Sequence, residues 1–165
     1  MRNINIIGDI TEETFKEFHT ALGKIEAKGL TEAQVTLMSH GGDAMAGLAI
    51  FDRMALSPIS FTVVATGFVA SAAVVILAAG DKKVMTPCTW VMVHEEQVDE
   101  IKSTNVTHME QNAHNYRKLE KQWCSILAQN STTSMQIWEH LHRQDTYLDP
   151  TECLKLGLID EILSE

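Results

Sequence analysis

The stretch "GFVASAAVVILAAG" (residues 67–80) decides the fold, and Ser71 carries the only hydroxyl group in it. A buried hydroxyl without a hydrogen-bond partner costs about 1–3 kcal/mol, so its presence in an apolar run needs a reason. One interpretation is that a small residue lets a core helix pack closely while its hydroxyl bonds to a carbonyl of the preceding turn. The other is that Ser71 is a nucleophile displayed where a strand turns into a helix. The stretch alone leaves both interpretations open.

Length and composition predict one globular unit. The chain has 165 residues, of which 45% are hydrophobic and 21% are charged. A chain of this length buries about two thirds of the surface that its unfolded form exposes, which is enough for a self-sufficient core. The sequence contains no low-complexity tract, long linker or repeat. We therefore expect a single domain over residues 1–165.

The formal net charge of -9 opposes binding to nucleic acid, because that binding depends on clustered Lys and Arg. The beginning of the chain, "MRNINIIGDITEE", has too short an apolar stretch for a signal peptide. No run reaches the roughly 18 uncharged apolar residues of a membrane span. We therefore expect a cytoplasmic protein with neither nucleic acid nor a membrane as its partner.

Cysteine and histidine spacing gives no sign of a metal site. Cys88, Cys124 and Cys153 are widely spaced and form no C-x-x-C pair, so we expect reduced, buried thiols. His140 and His142 lie two residues apart, and residues at that spacing do not share a helix face. The sequence therefore predicts neither a metal nor a disulfide.

The first half of the chain alternates strands with helices. Asp9 and Glu12 have the spacing of a helix capping box, and the apolar stripe that follows ends near Gly29. Gly41 and Gly42 predict a turn between a strand and a helix. Strands are predicted at residues 3–8, 34–40 and 60–66, and a second helix at residues 44–54.

The second half begins with two extended segments within residues 82–95, broken at Pro87 because proline cannot donate to a central ladder. Apolar residues then recur at helical spacing and predict one long amphipathic helix at residues 104–130. Further helices are predicted at residues 132–144 and after Pro150, the last one ending at Gly157. Strands that alternate with helices indicate an α/β fold.

Three predicted strand ends carry residues suited to acyl chemistry. The pair Gly41–Gly42 follows the second strand, Ser71 follows the third, and His94 ends the segment "TWVMV". In alternating α/β folds, sites collect at the carboxyl ends of the strands. Glycine allows a backbone amide to approach a ligand, and a neutral imidazole can accept a serine proton. Each feature also has a structural interpretation: a tight turn, a core serine and a hydrogen-bonded histidine.

Four segments, in this order, resemble motifs of the Clp protease proteolytic subunit family, ClpP. They are "MSHGGDAMAGLAIFDRM" for the glycine turn and helix, "TGFVASAAVVILAAG" for the nucleophile, "CTWVMVHE" for the histidine segment and "DTYLDPTECLKLGLIDEIL" for the aspartate-containing end. The resemblance runs from about Val35 to Leu163. It implies an α/β fold of the ClpP/crotonase-like type, a spiral of strand-strand-helix units, with the helix at residues 104–130 protruding as a handle.

The resemblance implies a serine endopeptidase that uses no cofactor and no metal. Carried over by position, Ser71 is the nucleophile, His94 is the general base and then acid, and Asp145 orients the imidazole. The backbone amides of Gly42 and Ala72 form the oxyanion hole. Considered without the family, Asp145 is an ordinary loop carboxylate.

The resemblance also implies partners. The substrates are peptides or unfolded proteins, and the chains assemble into a homo-oligomeric ring that is heptameric and stacked. An ATP-dependent unfoldase is a partner of the family, but the segment before the first predicted strand is short, which argues against that partner here. So compact a version resembles the ClpP-like proteases that viruses encode.

Two other function classes stay open. One is a catalytically silent ring subunit with a structural or regulatory role, although Ser71, His94 and Asp145 are all present. The other is a crotonase-like acyl-CoA enzyme, which shares the fold and the paired oxyanion amides without a serine triad. The small size and the four motifs favour the peptidase.

Overall fold

The chain forms a largely parallel β-sheet that helices cover. The computed structural model describes residues 2–95 and 105–163. Within these ranges the strands are β1 (Arg2–Ile7), β2 (Glu32–Ser39), β3 (Ser60–Ala70), β4 (Lys82–Met85), β5 (Trp90–Val93), β6 (Thr146–Leu148) and β7 (Glu161–Ile162). The helices are α1 (Glu12–Glu26), α2 (Ala44–Ala55), α3 (Ala72–Ala78), α4 (Val106–Gln129), α5 (Met135–His142) and α6 (Pro150–Leu156). The predicted α/β alternation is confirmed.

Strand β3 belongs to two groups of strands. The main part of the sheet has the order β1-β2-β3-β4-β7 and is parallel. Strand β3 pairs with β4 as far as Ala65 and with β5 from Phe68 onward, and its register against β2 shifts between these points. Gly67 lies at the shift with a φ of 65°, a left-handed backbone that favours glycine. Because β5 pairs antiparallel with β6, strand β3 joins the main sheet to this second pair of strands.

Helix α3 is buried on all sides. None of its residues is more than 1% exposed. Helix α2 packs so closely against it that a Cβ atom at Gly47 would lie 2.9 Å from the Ala72 carbonyl oxygen. The apolar run is therefore core, as the structural interpretation of this stretch expects. Ser71 is only half-buried and precedes the helix, so core packing accounts for the residues after it and not for the serine itself.

The capping box of α1 lies later in the chain than predicted. The sequence predicts the pair Asp9 and Glu12, but the N-cap is Thr11, whose Oγ1 accepts a hydrogen bond from the Thr14 N–H at 3.2 Å. The Thr14 hydroxyl in turn accepts from the Thr11 N–H at 3.2 Å. The prediction is wrong because Ile10 is still extended, forming a β-bridge with the turn after β2. The helix can begin only after that bridge.

Helix α4 is packed only at its C-terminal end. Its buried residues are Trp123, Cys124, Ile126 and Leu127. Val106 and Met109, in the first two turns, are 69% and 46% exposed. Lys83 fixes the end of the helix, since its Nζ donates to the Asn130 carbonyl at 2.8 Å. The long helix is confirmed, and its apolar stripe is core only at the C-terminal end. Residue 104, where the predicted helix begins, lies outside the described residues.

Two of the three cysteines are buried as predicted. Burial raises the pKa of the Cys124 and Cys153 thiols to about 12, which keeps both thiols protonated and unreactive. Cys88 is exposed, against the prediction, because it follows Pro87 in the turn between β4 and β5. Across residues 2–95 and 105–163, the structure contains no helix with the length and apolar character of a membrane span.

Candidate active site

Ser71 occupies a strained turn between β3 and α3. Its φ of 51° and ψ of -125° lie in a region that L side chains rarely adopt. Its N–H donates to the Met92 carbonyl of β5 at 3.1 Å, and its carbonyl accepts from the Val74 N–H at 2.9 Å. Such a backbone costs about 1–3 kcal/mol and persists only where the surroundings fix it. A sharp strand-to-helix turn of this kind is the geometry that displays nucleophilic serines.

Gly41 packs directly against Ser71. A Cβ atom at Gly41 would lie 2.6 Å from the Ser71 Cβ and 2.9 Å from the Ala70 carbonyl oxygen, and the φ of Gly41 is 100°. The turn is fixed by the buried Ser39 hydroxyl, which accepts from the Gly41 N–H at 3.0 Å, and by the Gly41 carbonyl, which accepts from the Ile10 N–H at 2.8 Å. Only glycine fits at this point, so the turn after β2 is built to approach the serine.

The backbone amides of Gly42 and Ala72 are not used by the hydrogen bonds of the turns that contain them. The bridge to Ile10 uses the carbonyl of Gly41 and the N–H of Asp43, at 2.8 Å each, and not the N–H of Gly42. Ala72 is the first residue of α3, and the first N–H groups of a helix have no partner within the helix. The amides of Gly42 and Ala72 can therefore donate to a ligand.

The relative position of His94 and Asp145 is set by one antiparallel strand pair. Strands β5 and β6 pair Val93 with Thr146, and the same register continued by one residue places His94 opposite Asp145. Asp145 has a φ of 47°, and its side chain is exposed. The register brings the two residues next to each other in the sheet, while the Asp145 side chain faces solvent.

One small cavity brings Ser71 and His94 together. Its volume is about 20 Å³, room for roughly one water molecule. The residues that line it are Ser71, Val74, Val93, His94, Glu120, Trp123 and His142. The structure thus unites two of the predicted triad residues, and it leaves Asp145 outside the cavity lining.

The polar groups of this cavity lack partners. Within the described ranges of the chain, the buried side-chain polar atoms without a hydrogen bond are His94 Nδ1, Glu120 Oε1, Trp123 Nε1 and His142 Nε2. All four residues line the cavity beside Ser71. Each such group costs about 1–3 kcal/mol, and clusters of them call for a functional explanation. The Nδ1 atom of His94, which Asp145 is predicted to hold, is therefore not bonded to it in this conformation.

Glu120, Trp123 and His142 line the cavity although they were not predicted as site residues. His142 was weighed only as a metal ligand together with His140. A signal was available, since Glu120 and Trp123 lie three residues apart and so put a carboxylate and an indole on one face of α4. The sequence does not reveal that this face meets the end of α5.

His142 is a neutral group at the cavity wall. Burial lowers its pKa to about 4, and the charge of His94 acts in the same direction, while a hydrogen bond with the His94 backbone opposes them. The side chain is 5% exposed. Near neutral pH, His142 therefore offers one ring nitrogen as a donor and the other as an acceptor.

This site defines a class of protein. A serine on a strained strand-to-helix turn, with a histidine in the same cavity and a glycine turn packed against it, is typical of serine hydrolases. The chain belongs to the Clp protease family, because the family model described as Clp protease matches residues 1–165. The resemblance seen in the four sequence motifs is confirmed.

Curated relatives match much of the chain. The "ATP-dependent Clp protease proteolytic subunit" of Bacteroides fragilis is 31% identical over 135 residues, which are 80% of this chain and 64% of that protein. The protein of the same name from Pleurastrum terricola is 26% identical over 168 residues, covering 99% of this chain and 84% of that protein. The match thus spans less than two thirds of the length of the Bacteroides relative.

A solved structure establishes the fold independently. A ClpP1 mutant from Listeria monocytogenes superimposes with a TM-score of 0.90 over 99% of this chain and 92% of that chain. The two sequences are 23% identical, so the likeness speaks for the fold alone. The predicted ClpP-like α/β fold class is confirmed.

Proposed function

We propose that the chain is a serine endopeptidase in which Ser71 attacks the peptide bond. The observation that carries this proposal is the strained turn that displays Ser71 in the same cavity as His94. Strained non-glycine residues cluster at functional sites, because elsewhere their cost has no compensation. Membership of the Clp protease family favours the same activity.

In the proposed mechanism, His94 acts first as a base and then as an acid. Its Nε2 takes the Ser71 proton while Oγ bonds to the carbonyl carbon and the C=O electron pair moves to oxygen. The imidazolium gives that proton to the leaving amine as the C–N bond breaks, and an acyl-enzyme forms. Water then loses a proton to His94 and attacks the acyl carbon, and Ser71 recovers the proton as the acid product leaves.

Backbone amides hold the negative charge that develops in both steps. Gly42 and Ala72 are the proposed donors, because Ala72 follows Ser71 and Gly42 follows the glycine that packs against Ser71. Neither amide is used by the bridge or the helix around it. Removing one such donor costs about 10²- to 10³-fold in turnover. Asp145 is proposed to orient the imidazole, which requires its exposed side chain to turn toward His94.

The proposed substrates are peptides and unfolded proteins, and no cofactor takes part. The chains are proposed to form heptameric, stacked rings, and the exposed apolar residues in the first turns of α4 offer a surface on which copies can meet. Such a ring confines hydrolysis to chains that can enter it. A cytoplasmic location stays a prediction, and an ATP-dependent unfoldase as a partner stays open.

A fluorophosphonate probe tests the proposal. We expect wild type to be labelled and Ser71→Ala to be unlabelled. Ser125→Ala is the matched control and should be labelled like wild type, because Ser125 lies on α4 and bonds to Gln129 away from the cavity. Native mass spectrometry of the same samples reports the number of subunits. A wild-type ring that takes no label would overturn the peptidase proposal.

A catalytically silent ring subunit is the second candidate. The observation that favours it is the His94 Nδ1 atom, which has no partner among the described residues while Asp145 is exposed. An assembled but unlabelled wild type would support this candidate. Binding of a CoA thioester by that unlabelled protein would instead support a crotonase-like enzyme, although membership of the Clp protease family favours the peptidase.

A further inference from the structure

The cavity beside Ser71 holds more polar groups than a serine-histidine-aspartate triad uses. Glu120 and Trp123 come from α4 and His142 from the end of α5, and each has a buried polar atom without a partner in the described chain. We propose that Glu120 and His142 are positioning residues for His94, holding its Nδ1–H across the cavity so that Nε2 faces Ser71. The catalytic meaning of this inference rests on the proposed function.

The hydrogen-bonding groups of the cavity complement each other. A carboxylate only accepts, an indole N–H only donates, and a neutral imidazole does one at each nitrogen. Glu120 is the one carboxylate among the residues that line the cavity. Trp123 lies on the same helix face, and its indole N–H is a donor that a small side-chain movement can bring to that carboxylate. The charge-assisted acceptor that His94 Nδ1–H needs is therefore present in its own cavity.

His142 is placed to connect Glu120 with His94. It lines the cavity with both residues and interacts with the backbone and the ring of His94. Because His142 is neutral and its one N–H bonds to the His94 backbone, its other ring nitrogen can accept a hydrogen bond from the His94 Nδ1–H. The cavity volume of about 20 Å³ also accommodates one water, which can bridge polar groups that do not touch.

Asp145 does not fill this place in the described conformation. It is exposed, has a φ of 47° and is not among the residues that line the cavity. Two acidic residues from different parts of the fold can thus act on His94: Asp145, which precedes β6, and Glu120 from α4. Glu120 is not a member of the proposed Ser71, His94 and Asp145 triad.

The first experiment measures the rate of fluorophosphonate labelling. We expect Glu120→Leu to slow labelling about tenfold or more, the range typical of residues that orient a reacting group. Glu120→Gln keeps an oxygen acceptor and should lose less. Glu110→Gln removes the same charge from the exposed part of α4 and should label at the wild-type rate. A thermal melt of each variant checks that it is folded.

The second experiment determines which nitrogen of His94 carries the proton. Magic-angle-spinning NMR of protein with ¹⁵N-labelled histidine distinguishes the two tautomers, and loss of a signal in His94→Ala assigns it. We expect the Nδ1–H form in wild type and a shift toward Nε2–H in Glu120→Leu and His142→Phe. If Glu120→Leu does not fold, Glu120→Gln provides the same comparison with a smaller shift.

The two experiments separate the inference from the proposed function. A wild type that takes no label overturns the peptidase proposal, and the tautomer measurement still reports on Glu120. An unchanged His94 tautomer in the folded Glu120 variant overturns the inference, whatever its labelling rate. A purely structural role of Glu120 would lower the melting temperature without moving the proton.

Discussion

The two sides of the cavity are held in different ways. On the Ser71 side, the strained turn lies between β3 and a helix whose residues are all buried, and Gly41 presses against it. On the His94 side, the wall comes from α4 and α5, and its polar groups lack partners in the described chain. Ser71 is thus held by close packing, whereas His94 lies among polar groups that have no partner in the described chain. The two can be perturbed separately.

The largest effect is expected where the glycine turn packs against Ser71. Gly41→Ala would place a Cβ atom 2.6 Å from the Ser71 Cβ at a φ of 100°. Overpacking and backbone strain cost about 1–3 kcal/mol each, so we expect the free energy of unfolding to fall by about 4 kcal/mol and labelling to be lost. Urea denaturation measures the first effect and the fluorophosphonate probe the second.

Gly29→Ala is the matched control for this change. Gly29 has a φ of 66°, but a Cβ atom there meets nothing within 4 Å. Only the backbone strain remains, and we expect a loss of about 1 kcal/mol with labelling intact. Equal losses at both glycines would contradict the close contact between the Gly41 turn and Ser71.

The next effect separates the two ends of α4. Leu127 is fully buried and Met109 is 46% exposed. We expect Leu127→Ala to lower the free energy of unfolding by about 3 kcal/mol, because it leaves a cavity, and Met109→Ala to change it by about 0.5 kcal/mol or less. Urea denaturation of both variants at equal concentration makes the comparison. A similar loss at Met109 would contradict packing at one end only.

The free energy of unfolding is expected to depend on pH through His142, on the polar His94 side of the cavity. The pKa of His142 falls from 6.5 to about 4 on folding, chiefly through burial. Between these values the unfolded chain takes up a proton that the folded chain does not, so the free energy of unfolding falls as pH falls through this window. The total is about 3 kcal/mol, with the full stability present above the upper value.

Urea denaturation at several pH values between 7 and about 4.5 measures this effect. His142→Gln has no titrating ring and should lack this part of the slope. Wild type and variant curves that run parallel would show that His142 is not responsible. The experiment reports on burial of the ring whether or not the protein cleaves peptides.

The smallest effect concerns the strain at Ser71. Both Ser71→Ala and Ser71→Gly remove the hydroxyl, but only glycine adopts a φ of 51° without strain. Glycine loses more backbone entropy on folding, which offsets part of the relieved strain. We therefore expect Ser71→Gly to be more stable than Ser71→Ala by about 1 kcal/mol. Thermal denaturation of the two variants tests this, and a less stable glycine variant would show that the turn is not strained.

Apolar patterns predicted most of the fold, because the period of a buried stripe is a local property of the sequence. The start of α1 was not predictable in this way, since the bridge between Ile10 and the glycine turn joins distant segments. The exposure of Met109 was not predictable either, because an apolar stripe looks the same whether it meets a core or solvent.

Part of the site was also predictable from local patterns in the sequence. Ser71 and His94 both follow strands, and β3 and β5 are neighbours, so the ends of the two strands meet. Glu120 and His142 reach the cavity through the packing of α4 against α5, which no local pattern encodes. The roles assigned to Asp145 and to the oxyanion amides stay predictions.

Because α4 is packed only at its C-terminal end, the helix can act as a lever. At 1.5 Å per residue, Val106 lies about 26 Å from Trp123, where burial begins, and Glu120 lies about 4.5 Å from it. A rod that turns about Trp123 reduces a movement of its tip about sixfold at Glu120. A swing of about 3 Å at the tip becomes about 0.5 Å there, the tolerance to which catalytic groups must be held. A large movement of the exposed end of α4 would therefore become a small movement of Glu120 beside His94.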